Sequence, residues 1–83
     1  MPSCQVGFHP EAVAEAIAAA QWYRERSSAA ADAFLSELEF AVDRITGNPK
    51  RWPQYVHGTQ RFLLRRFPFC IVYREMSGII EVF

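Results

Sequence analysis

The densest chemistry in this 83-residue chain lies in RFLLRRFPFCIVYR, residues 61–74, where four guanidinium groups and the Tyr73 phenol sit among large apolar side chains. Arg61, Arg65, Arg66 and Arg74 can each present a planar fork of donors to a carboxylate or a phosphate. As a catalytic set, Arg61 and Arg65 would hold the phosphate of an RNA cleaved through its own 2′-hydroxyl, with Tyr73 as a weak acid or base. That reaction also needs a group to take the 2′ proton. The two histidines are poorly placed for it: His9 precedes a helix start, and His57 falls in a loop of turn residues. The sequence has no metal-ligand cluster, glycine-rich phosphate loop or nucleophile–base motif. Cations without a proton acceptor favour binding over catalysis. The four arginines are therefore read as partner-binding, with no catalytic residue, metal or cofactor expected.

The charge distribution points the same way. Residues 1–43 carry seven acids against two arginines, a net −5, and residues 44–83 carry seven bases against two acids, a net +5. A basic back half suits an anionic partner, either nucleic acid or an acidic protein segment. The alternative is that the halves neutralise each other within the fold. The composition, 51% apolar and 22% charged, is that of a globular protein. The length allows a single domain over 1–83. Cys4 and Cys70 make no disulfide framework and read as small buried side chains in a reducing compartment. The start of the chain lacks a basic segment leading into an apolar run, and its most apolar helix is too short for a bilayer. A cytoplasmic location without a membrane partner is expected.

These residues must be positioned by the elements around them. CQVGF alternates apolar and polar residues as a short half-buried strand does. Pro10 suits the first position of a helix over 10–26, because its missing N–H costs nothing there, and Glu11 complements the positive end of the dipole. Val13, Ala16, Ile17, Ala20 and Tyr23 or Arg24 follow its helical stripe. Ser27 or Ser28 can cap a second helix over 28–46, with Ala31, Phe34, Leu35, Leu38, Val42 and Ile45 facing the core. Gly47 is expected to end it in the left-handed C′ conformation, with Pro49 blocking continuation. The loop over 47–60 should fold Trp52 and Tyr55 back onto the core. Strands follow over 61–66 and 69–75 with Phe67-Pro68 between them, and Ser77-Gly78 turns the chain into a last strand, IIEVF. The order predicts an α+β fold: an N-terminal strand, an antiparallel helical hairpin, then a three-stranded antiparallel meander with the helices on one face.

Such a sheet should alternate. Instead Phe62, Leu63, Leu64 and the run from Phe69 to Tyr73 are apolar on both faces. Either an external partner covers the surplus, rimmed by the four arginines, or Trp52, Tyr55 and the long loop cover it internally.

FHPEA, WYRERS, FLSELEFAVDRITGNPKRWP and RRFPFCIVYRE, taken in that order and spacing, resemble the RelE/ParE superfamily of bacterial type II toxin–antitoxin toxins, and within it the ParE-like, plasmid-stabilisation branch. The resemblance spans nearly the whole chain. It implies a compact α+β toxin neutralised by an antitoxin whose C-terminal segment wraps around it. In the absence of antitoxin, a second copy of the chain is expected to cover the apolar open face of the sheet. ParE-like members inhibit DNA gyrase. RelE-like members cut messenger RNA in the ribosomal A site, which would make the protein a ribosome-dependent endoribonuclease. A degenerate homologue that only binds antitoxin is a third reading. Family members commonly carry a tail with a histidine, an arginine and aromatics after the last strand, and those residues have no counterpart before Phe83.

Overall fold

Pro10 and Ser27 mark where the two helices begin. The computed structural model describes residues 5–83, so the expectation for Cys4 lies outside the described residues. Strand β1 (Gln5–Phe8) leads into helix α1 (Pro10–Arg24), with Pro10 at its first position as expected. Helix α2 spans Ser28–Gly47, and the Ser27 hydroxyl accepts from the Ala30 N–H at 3.2 Å. That bond satisfies one of the orphan donors of the first turn. Strands β2 (Gln60–Leu63), β3 (Cys70–Met76) and β4 (Ile79–Val82) complete the chain.

The four strands form one sheet in the order β1-β4-β3-β2, antiparallel except where β1 lies parallel to β4. Parallel pairing needs a long crossover, which the helical hairpin supplies. Ser77 and Gly78 make the two-residue turn between β3 and β4, with φ of 53° and 79°. Both lie in the left-handed region, where Gly is free of the Cβ penalty. The Glu75 carboxylate accepts the Gly78 N–H at 3.0 Å.

The sheet does alternate. Ile71, Tyr73, Ile80 and Val82 are buried and form one cluster with Phe34, Ala41 and Ile45 of α2. Their strand neighbours Val72, Arg74, Met76, Ile79 and Glu81 occupy the other face by register. Across that open face Arg74 donates to Glu81 at 2.9 Å. The uncovered face is therefore partly polar, with Leu63, Met76 and Ile79 exposed around a charged pair.

Local expectations are corrected in several places. The strand predicted over 61–66 ends at Leu63. The Leu64 N–H turns to Phe69 O at 3.0 Å, while Glu37 captures the N–H groups of Arg65 and Arg66. With Pro68 unable to donate, no ladder can continue. Gly47 is the last helical residue rather than a left-handed cap: Asn48 N–H closes the final turn onto Arg44 O at 3.3 Å. Trp52 packs on the core as expected, its ring 4.5 Å from Phe62. Tyr55 does not. It lies exposed at the tip of a loop tied down by Arg61 N–H to Pro53 O and Tyr55 N–H to Thr59 O. Cys70 is exposed because its neighbour Ile71 takes the inward position.

Candidate partner-binding surface

The four arginines do not rim one face. Arg61 projects from the open side of β2, its guanidinium 4.9 Å from the centre of the Tyr55 ring. Arg65 and Arg66 sit on the β2–β3 connection, off the sheet. Arg74 lies on the open side of β3, paired with Glu81 and 5.5 Å from the Phe83 ring. His9 joins this last cluster, with Nε2 3.5 Å from Glu81 and its ring stacked on Phe83 at 4.5 Å. The Arg74 hydrogen bond holds the Glu81 carboxyl below the ordinary glutamate value, against the opposing effect of desolvation.

Glu37 organises the connection. It reaches from α2 to accept the N–H groups of Arg65 and Arg66 at 2.6 and 3.1 Å, and the Arg66 Nε at 3.0 Å. The Arg66 N–H, above all, lowers the Glu37 pKa, with partial desolvation opposing it. Charge-assisted bonds of this kind fix both partners. Arg65 is thereby positioned through its backbone while its guanidinium makes no ion pair among the described residues. Tyr73 stands apart from Arg61 and Arg65. It is fully buried on the helix side, its hydroxyl donates to the Pro49 carbonyl, and burial pushes its pKa up to about 12.

Two concavities flank α2. One, about 530 Å³, lies between the helical hairpin and the sheet and is lined by Val13, Ile17, Leu35, Leu38, Ile71 and Val82. Val13, Ile17 and Leu35 are 43%, 52% and 41% exposed in it. The other, about 990 Å³, runs along β2 and the β2–β3 connection, where Arg44 and Arg51 join Arg61, Arg65 and Arg66. Reading the sequence singled out neither Arg44 nor Arg51 as a site residue. The signal was Phe40, an aromatic off the core stripe of α2 and four residues before Arg44, whose guanidinium lies 5.5 Å from its ring.

Residues 6–83 match the model of a family described as the ParE toxin of the type II toxin-antitoxin system, parDE. The chain belongs to the ParE toxin family. No curated protein matches the sequence significantly. Membership makes the chain a toxin-family component of a toxin–antitoxin module, for which a cognate antitoxin is the implied partner. Among the described residues no helix is long and apolar enough to cross a membrane, and no cluster of potential ligands could hold a metal ion.

Proposed function

We propose that this ParE-family chain is a toxin that acts by binding protein, with DNA gyrase the target its family likeness implies, and that its antitoxin silences it by wrapping both flanks of α2. The half-open apolar groove supports this reading most. Three large side chains on two facing helices, Val13, Ile17 and Leu35, remain 43%, 52% and 41% exposed where a core would bury them. An amphipathic antitoxin helix would fill the groove through i, i+3 and i+4 anchors. Carboxylates elsewhere in the antitoxin would meet Arg61, Arg65 and Arg66 on the opposite flank of α2 and compete with Glu81 for Arg74 on the open sheet face. Binding rather than cleavage is favoured because Tyr73 is committed to Pro49 and the carboxylate beside Arg61 and Arg65, that of Glu37, is already taken by the Arg65 and Arg66 N–H groups and the Arg66 guanidinium.

Induced expression in a bacterium, with and without the antitoxin encoded beside it, tests the reading. Growth arrest with a DNA-damage response, relieved by antitoxin, is expected, and purified ribosomes with messenger should show no cleavage. Reproducible A-site cutting would replace it with the ribonuclease reading. Antitoxin capture without arrest would leave a homologue that only binds.

A further inference from the structure

Phe40, Arg44 and Glu37 line the basic groove, whereas Leu35, Leu38 and Val42 line the apolar one, so the two occupy opposite flanks of α2. Five arginines and Glu37 give the basic groove a net +4. We infer that this groove is a docking site for an acidic protein segment lying extended beside β2, with carboxylates on the arginine forks and alternate apolar side chains on Phe40 and Leu63. The inference rests on the protein-binding reading above and adds to it the chemistry and conformation of the segment.

Four observations carry it. Among the described residues, Arg44, Arg51, Arg61 and Arg65 make no ion pair, so their forks are available. The donors of the connection already hold one carboxylate, that of Glu37, at 2.6 to 3.1 Å. Phe40 and Leu63 are each 60% exposed, an apolar pair on the walls of a charged groove. Finally, β2 is an edge strand. Arg61 N–H points away from β3 to bond Pro53 O at 3.0 Å. Alternation then turns the Leu63 N–H and C=O the same way, past the end of the covering loop. An added strand would bond there and present every second side chain to the groove.

The other polyanion to consider is a single-stranded nucleic acid, which binds by stacking bases on aromatic faces between cations. The Trp52 and Tyr55 faces are taken. Arg44 and Arg51 lie 5.6 and 5.0 Å from the Trp52 ring, and Arg61 lies 4.9 Å from the Tyr55 ring. A guanidinium stacked on a ring leaves its N–H edge free for a carboxylate but denies the ring to a base. Glu37 also places a negative charge within the groove.

The test is fluorescence anisotropy of the full chain with a labelled decapeptide of alternating aspartate and leucine. Its lysine–leucine counterpart and a ten-nucleotide oligothymidylate serve as comparison probes. The acidic peptide should bind, should weaken about tenfold or more when salt is raised to about 0.5 M, and should be preferred over both other probes. The double variant Arg44→Glu/Arg51→Glu should lose at least about tenfold in affinity, and Phe40→Ala, with all charges intact, should lose several-fold. Equal binding of the lysine peptide, tighter binding of oligothymidylate, or unchanged affinity in folded variants of both kinds would overturn the inference. Antitoxin capture and growth arrest are scored in parallel: if both are intact while the peptide fails, the docking inference alone falls. If both are absent, the toxin reading falls with it.

Discussion

The two helices are neighbours with a similar supply of apolar residues, yet they are fixed in the fold very differently. Helix α2 buries Ala31, Phe34, Ala41 and Ile45, and Phe34 meets Tyr23, Phe67 and Phe69 at ring separations of 5.2 to 5.4 Å. Helix α1 buries only Ala20. The cause is visible in the side chains. Alanines at 12, 16, 19 and 20 let α1 approach α2 closely but give it nothing long enough to reach the sheet, so Val13 and Ile17 overhang a groove. Dispersion and burial fix α2 in place, while α1 leaves apolar surface uncovered.

The largest expected effect comes from breaking the well-packed side. Phe34→Ala removes a fully buried ring at the centre of an aromatic cluster and should cost about 3–5 kcal/mol. Domains of this size hold about 5–15 kcal/mol in total. Urea unfolding followed by circular dichroism should show a midpoint lowered severely or a chain that is unfolded in buffer. A shift of only a few tenths of a kcal/mol would mean that α2 is not the anchor.

Tyr73→Phe sharpens the comparison on the sheet under α2. The ring stays, but the Pro49 carbonyl loses its donor in a half-buried place, so a loss of about 1–2 kcal/mol is expected in the same unfolding measurement. Activity should survive, since the phenol is spent on the loop after α2. Loss of toxicity without loss of stability would return Tyr73 to the functional residues.

Elements and their order were legible because periodicity and punctuation agreed: Pro10, Ser27 and Ser77-Gly78 each specify a local geometry by their own chemistry. The three-stranded meander followed from β-branched and aromatic runs separated by the turn chemistry of Phe67-Pro68 and Ser77-Gly78. Long-range contacts were not legible. Nothing near Arg65 announces that Glu37, 28 residues earlier, will take its N–H and end β2. Nor does spacing show that Arg44 and Arg51 converge with Arg61, or that Tyr55 stays outside while Trp52 goes in. Arg61, Arg65, Arg66 and Arg74 were identifiable as a basic set but not as two separate places. For that their backbone environments had to be known.

On the loosely held side, Ile17→Ala should change stability by no more than about 1 kcal/mol, because the side chain is 52% exposed already. Capture by the antitoxin should fall by more than stability does. Calorimetric binding alongside thermal melting separates the two. An antitoxin affinity unchanged in this variant would show that the apolar groove is not where the partner sits.

The smallest effect is electrostatic and concerns how each helix is tied to the sheet. Glu37 fastens α2 to the β2–β3 connection, and Glu81 links β4 to Arg74 and to His9 at the start of α1. Arg66 and Arg74 respectively lower the pKa of these two carboxyls in the folded chain below the ordinary 4.5. The unfolded chain therefore binds protons first as pH falls. The stability these groups contribute is fully present above about pH 4.5 and is lost as pH drops through their folded values. Melting temperature should be flat near neutrality and decline on the acid side. Glu37→Gln should flatten part of that decline, since an amide oxygen can still accept one N–H but has no charge to lose. Glu81→Gln should flatten it less, because the Glu81 side chain is more exposed than that of Glu37 and accepts no backbone N–H. An acid limb left unchanged by Glu37→Gln would mean that α2 is held by its buried face alone, with the carboxylate serving only to place Arg65 and Arg66.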